Sequence, residues 1–142
     1  MNTRFGWIAL LSGILVCPAN VPQAAKDAKE VLGTWEGESI CTIPDSPCKN
    51  EHVIYEIAED EKSAGGLKTD AYKVVGGEKQ FMGTLACGYD ASAKTMKCTF
   101  TGNGRKNEWE FHVRGTSMDG TLVLDEDRKL YRKVCVKRKS GS

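Results

Sequence analysis

Between residues 31 and 139, apolar side chains recur at every second position in short runs, and the runs are divided by Gly, Asn, Asp and Ser. A period of two belongs to a strand with one face on a core and the other in water, because successive Cβ atoms point to opposite sides. No segment sustains a helical period, so the chain must bury its apolar stripes by sheet alone. The alternation predicts eight strands, at 33–41, 51–59, 68–75, 79–87, 95–101, 107–114, 118–125 and 129–137. The breaks carry turn chemistry, as in Ser63-Ala64-Gly65-Gly66, Gly76-Gly77 and Gly102-Asn103-Gly104. Apart from 42–50, every connection is short enough for a hairpin.

Hairpins in series pair neighbouring strands in order, and a sheet of that many strands with one apolar face must close or fold over to bury it. Closure also removes exposed edges. The expected fold is all-β, a single antiparallel up-and-down eight-stranded β-barrel, with a two-sheet sandwich as the alternative. Parity assigns the faces. Val53, Tyr55 and Ile57 point inward, as do Trp109, Phe111 and Val113, which leaves His52 and His112 toward water. The inward set extends to Tyr72 and Val74, to Phe81, Gly83 and Leu85, and to Met96 and Phe100. Arg132 joins it by sharing parity with Val134 and Val136, an unusual place for an arginine.

At 142 residues the chain is one domain. Twenty Lys and Arg against nineteen Asp and Glu leave a net charge of +1, so no overall field draws it to nucleic acid or an anionic membrane. The first residues carry Arg4, an apolar run at 7–16 and small residues at Cys17 and Ala19, the organisation of a secretory signal peptide. The apolar run is too short to anchor the chain as a span. The expected organisation is a leader over 1–19, with Ala24 or Ala25 as alternative cut sites, a linker or loose helical turn over 20–30, and the barrel over 31–139. The mature protein is then secreted or periplasmic, with no stable membrane insertion. Lipidation of Cys17 is disfavoured because Val16 stands where a lipoprotein signal needs a small residue.

An exported chain favours oxidised cysteines. Cys87 and Cys98 flank one hairpin, and directly opposed residues can lie about 4.5 Å apart, within reach of a bridge. Cys41 and Cys48 would close the loop that holds Pro44 and Pro47. Zinc on Cys41, Cys48 and His52 is the rival reading, but the spacing lacks the paired Cys-x-x-Cys of structural zinc sites. Cys135 is left over, either as an outward free thiol or bonded to Cys41 where the barrel closes. Catalysis has thin support: both histidines face water, and the acidic runs Glu59-Asp60-Glu61 and Asp125-Glu126-Asp127 sit at turns. No enzyme, metal or cofactor is expected.

Gly33-Thr34-Trp35 opens the first strand, in a chain whose last strand carries an inward arginine. This resembles the lipocalin-like calycin superfamily, in which a Gly-x-Trp step starts the barrel and a basic residue from its end packs over the indole. The resemblance implies a lipocalin-like barrel, with Gly33 and Trp35 in the opening motif and Arg132 as the cation–π partner. It also implies a ligand site: Arg132 as polar anchor among Trp35, Tyr55, Tyr72 and Phe81 on one side and Phe100, Trp109 and Phe111 on the other. The expected ligand is a small apolar molecule, carboxylate-bearing ones included. The "GTWEGES" start is also similar to that of haem-binding nitrobindins, but with no inward histidine haem is not expected. A barrel of eight strands is only just wide enough to hold one small ligand or be filled by side chains. If it is filled, the alternative is a surface-acting protein, similar to the periplasmic lysozyme inhibitors, that presents the 42–50 loop to a protein partner.

Overall fold

The computed structural model describes residues 28–102, 104–124 and 126–141. The expected leader, and the linker up to residue 27, lie outside the described residues. A single 3₁₀ turn, Ala28–Glu30, precedes eight strands: β1 (Gly33–Cys41), β2 (Glu51–Glu59), β3 (Gly66–Val75), β4 (Glu78–Asp90), β5 (Thr95–Gly102), β6 (Arg105–Arg114), β7 (Ser117–Leu124) and β8 (Leu130–Arg138). Each strand pairs antiparallel with its neighbours in sequence, and β1 pairs with β8 to close the barrel. The up-and-down barrel expected from the alternation is the fold, and the sandwich is not.

Because β1 runs away from the 3₁₀ turn, one end of the barrel holds the chain's first described residues together with the β2–β3, β4–β5 and β6–β7 turns. This end is plugged. Trp35, Met96, Phe111 and Met118 are all but fully buried there, with Val31 of the entering segment beneath them. The other end carries the 42–50 loop and the β3–β4, β5–β6 and β7–β8 turns. Tyr55 and Phe111 meet edge to face mid-barrel, ring centroids 5.6 Å apart.

Both expected bridges are present, Cys41–Cys48 and Cys87–Cys98, with Cα separations of 5.8 and 4.1 Å. Cys87 and Cys98 are direct cross-strand partners. The buried Thr69 hydroxyl lies 3.2 Å from Cys87 Sγ and, since a disulfide sulfur carries no proton, donates to it. Cys135 is exposed and unbridged, opposite Glu38 on β1 and Asp119 on β7.

Three inward assignments, Tyr72, Val74 and Phe81, are corrected. Tyr72 stands opposite the outward Ile54 and Phe81 stands opposite Tyr72, so both lie on the outer face. Their rings meet edge to face at 5.4 Å, and Lys79 Nζ sits 3.9 Å above Tyr72. In β3 the inward set is Leu67, Thr69 and Ala71, which excludes Tyr72 and Val74. In β4 the pairing jumps from Ala71–Gly83 to Tyr72–Phe81, so Met82 is an extra residue. A bulge of this kind reverses the parity of everything on its far side.

Candidate functional site

The half of the barrel beyond the Tyr55–Phe111 pair holds a cavity of about 240 Å³. Most of its lining residues alternate along their strands, and Met82 and Tyr131 join them at the two register shifts. Its apolar wall comes from Leu85, Phe100, Trp109, Leu122 and Leu124, and its polar end from Ser39, Glu51 and Arg132.

Arg132 reaches the interior because β8 pairs it with Cys41 on one side and Leu122 on the other. Its Nη1 donates to the Lys49 carbonyl at 3.0 Å and to Ser39 Oγ at 3.3 Å, and it lies 3.3 Å from Glu51 Oε2. The side chains of Arg132 and Glu51 are 13% and 26% exposed, so the pair is mostly shielded from water. The cavity therefore ends in a compensated ion pair, not an isolated cation. Tyr55 lies within the field of both charges, and burial pushes its phenol well above the usual range. At β8 a second register shift leaves Tyr131 unpaired with β7, and Tyr131 also lines the cavity. Strict alternation from Arg132 would turn Tyr131 outward, and the extra residue of the bulge brings it in.

Of the expected ligand residues, Arg132, Tyr55, Phe100 and Trp109 come together at this cavity. Phe111 packs beneath it against Tyr55, and Trp35 lies deeper in the plug. Tyr72 and Phe81 are on the outer face, as above. Met82, Asn107 and Tyr131 line the cavity without having been singled out.

The basic partner of Trp35 is Arg138, not Arg132. The Arg138 guanidinium is 4.5 Å from the indole centroid, and Trp35 and Arg138 are direct cross-strand partners. Arg138 also donates to the Leu32 and Glu30 carbonyls, while Trp35 Nε1 donates to the Val31 carbonyl at 2.8 Å. Glu30 in turn pairs with Lys94 at 2.7 Å and accepts from the Tyr89 hydroxyl, contacts that hold its carboxyl below the usual range. These contacts lash the 3₁₀ turn over the plugged end.

Outside the barrel, His52 bridges two carboxylates of the neighbouring strand, with Nε2 2.8 Å from Glu36 and Nδ1 2.9 Å from Glu38. These contacts raise the imidazole pKa above its ordinary value. Among the described residues no group of three or more His, Cys, Asp or Glu could hold a metal ion. None of the described helices is long and apolar enough to cross a membrane. No protein-family model matches the sequence, and no curated protein matches it.

Proposed function

We propose that this is an exported, non-enzymatic binding protein whose lipocalin-like barrel holds a small, mainly apolar molecule in its unplugged half. The observation that carries the reading is the asymmetry of the interior: one half is packed with Trp35, Phe111 and Met118, while the other leaves about 240 Å³ walled mainly by aromatic and aliphatic side chains, with the Arg132–Glu51 pair at one side. Two disulfides agree with an oxidising compartment.

The chemistry of the pole selects the ligand's head. Glu51 already compensates Arg132. A carboxylate would have to displace Glu51 and leave it beside a buried like charge, which is costly. A neutral group that both donates and accepts, such as a hydroxyl or amide, can bond to the pair as it stands. The reading thus favours an uncharged polar head over the acid that an inward arginine alone suggests.

Native mass spectrometry of the protein recovered from its exported compartment, before and after mild denaturation, tests the reading. A small molecule released on unfolding, and absent from an Arg132→Leu variant, is the expected result. A bare mass in every preparation, with no uptake of hydroxylated or carboxylated alkyl probes, overturns it.

A second reading has its own support in the 42–50 loop, which is closed by Cys41–Cys48 and tied to β8 by Thr42 through the Leu130 and Tyr131 carbonyls. A rigid loop loses little entropy on docking to a protein. Exchanging Pro44, Asp45 and Pro47 for Gly and Ser should abolish capture of such a partner and spare small-molecule uptake.

A further inference from the structure

The barrel wall is not uniformly hydrogen-bonded. β4 pairs with β5 only through Ala86 to Asp90, opposite Thr95 to Thr99, whereas β3 follows β4 along almost its full length. Among the described residues, Gly83, Thr84 and Leu85 thus have no ladder partner on the β5 side, and neither have Phe100, Thr101 and Gly102 on the β4 side. The result is a seam that starts in the middle of the barrel and runs out to its unplugged rim.

A side chain, rather than backbone, spans this seam. The Phe100 ring lies against two glycines. A Cβ added at Gly83 would stand 3.1 Å from its Cε2, and one at Gly102 would stand 2.7 Å from its Cε1. Gly83, at φ +152°, is also where the β4 bulge falls. Rotation of one phenyl ring costs far less than breaking a ladder, and side-chain rotamers exchange much faster than strands separate.

Apolar surface continues outward from the seam. Met82 lines the cavity yet is 41% exposed, and the next residue, Phe81, is 60% exposed on the outer face beside Tyr72. Phe81, Met82 and Val75 account for three of the four large apolar side chains exposed among the described residues. They cluster on one hairpin, beside the β4–β5 gap in the ladder. The polar pole sits on β8, β1 and β2, and in the cyclic strand order the β4–β5 seam is diametrically opposite.

We infer that the ligand is a single-chain amphiphile longer than the cavity, its uncharged head at Arg132 and Glu51 and its tail leaving the barrel sideways through the β4–β5 seam, past Phe100 and onto Met82 and Phe81. The inference rests on the binding reading above and names its ligand class. A cavity of 240 Å³ is below the usual range for sites that enclose a ligand of ordinary size, and a polar pole facing an apolar exit defines an axis along which such a molecule lies.

The test is a chain-length series of monoacylglycerols, from about eight to about sixteen carbons and below their aggregation concentrations, titrated calorimetrically; each methylene that becomes buried should raise affinity by up to about fourfold. For the natural sequence the affinity should climb through the whole series. In Phe81→Asp, a substitution at an exposed site, the climb should stop at the longer chains while the short members bind as before. In Phe100→Ala the dissociation rate of the long members should rise. If affinity in the natural sequence levels off after the shortest chains, or Phe81→Asp leaves the long-chain increments intact, the seam route is overturned while the cavity reading survives on the short members. If no member binds, both fall.

Discussion

The Arg138 guanidinium lies 4.5 Å from the Trp35 ring centroid, and the same side chain donates to the Leu32 and Glu30 carbonyls. One residue thus caps the indole, satisfies two carbonyls of the segment that enters the barrel, and joins the end of β8 to the start of β1. Its removal should act on stability rather than on ligand binding. Arg138→Met should lower the unfolding free energy by about 2–3 kcal/mol, from a partly shielded cation–π contact and two charge-assisted hydrogen bonds. Arg132→Met should also cost stability, because it leaves Glu51 uncompensated, but it alone should abolish head-group recognition. Urea denaturation and ligand titration of the two variants separate the roles, and equal behaviour would contradict them.

That assignment was within reach of the sequence. Arg132, Val134, Val136 and Arg138 share one parity, so the alternation alone cannot choose between the two arginines. The choice follows from antiparallel closure: Trp35 is near the start of β1, so its neighbour on β8 must come from that strand's end. Fold, strand order, both disulfides and the outward histidines were legible because each follows from period-two patterning and compartment chemistry. Phe81 and Tyr131 were not, because a bulge adds a residue without disturbing composition, and parity has no memory across it, while Tyr72 was missed because β3 carries apolar residues on both parities and its phase is set only by its register against β2. The β4–β5 seam was equally hidden, since pairing extent depends on register in space and β5 carries an ordinary strand pattern.

The two bridges should differ in what they protect. Chain entropy assigns each short loop about 2–3 kcal/mol. Cys87 and Cys98 are also buried in the barrel wall, where paired alanines would leave a void beside Thr69 and remove the acceptor of its hydroxyl. The Cys87→Ala, Cys98→Ala variant should therefore lose more stability than Cys41→Ala, Cys48→Ala. The latter should lose only that chain-entropy share, loosen the loop that supplies Lys49 to Arg132, and weaken ligand binding. Denaturation midpoints and calorimetric affinities on both double variants distinguish these outcomes.

The His52 bridge makes a pH-dependent contribution with a definite sign. Hydrogen bonds to Glu36 and then Glu38 raise its folded-state pKa above the ordinary 6.5. The stabilisation is present in full below the unfolded pKa and fades as pH rises through the folded one. Glu36, lowered by His52 and Lys139, acts oppositely: its contribution is present above the ordinary 4.5 and disappears as pH falls through its folded pKa. Between these limits the cluster is at its strongest, and because it is partly exposed it is worth at most about 1 kcal/mol. His52→Gln should flatten the fall in melting temperature from mildly acidic to mildly basic pH. An unchanged slope would remove His52 as its source.

Trp109 offers a direct reporter on the cavity. Of the three tryptophans, Trp7 falls outside the described residues, Trp35 is sealed in the plug, and Trp109 lines the cavity wall. A ligand that occupies the unplugged half must change the polarity around Trp109 while leaving Trp35 untouched, since the Tyr55–Phe111 pair lies between. Titration with a bound alkyl probe should therefore shift the intrinsic fluorescence of the natural sequence and of a Trp7→Phe variant. Trp109→Phe should bind the same probe with little loss of affinity and show no shift. Tyr55→Phe adds a second readout: Tyr55 lines the cavity together with Arg132 and Glu51, so loss of its hydroxyl should weaken a hydroxylated probe several-fold and leave a plain alkane unaffected. A fluorescence change that persists in Trp109→Phe would place the ligand elsewhere on the molecule.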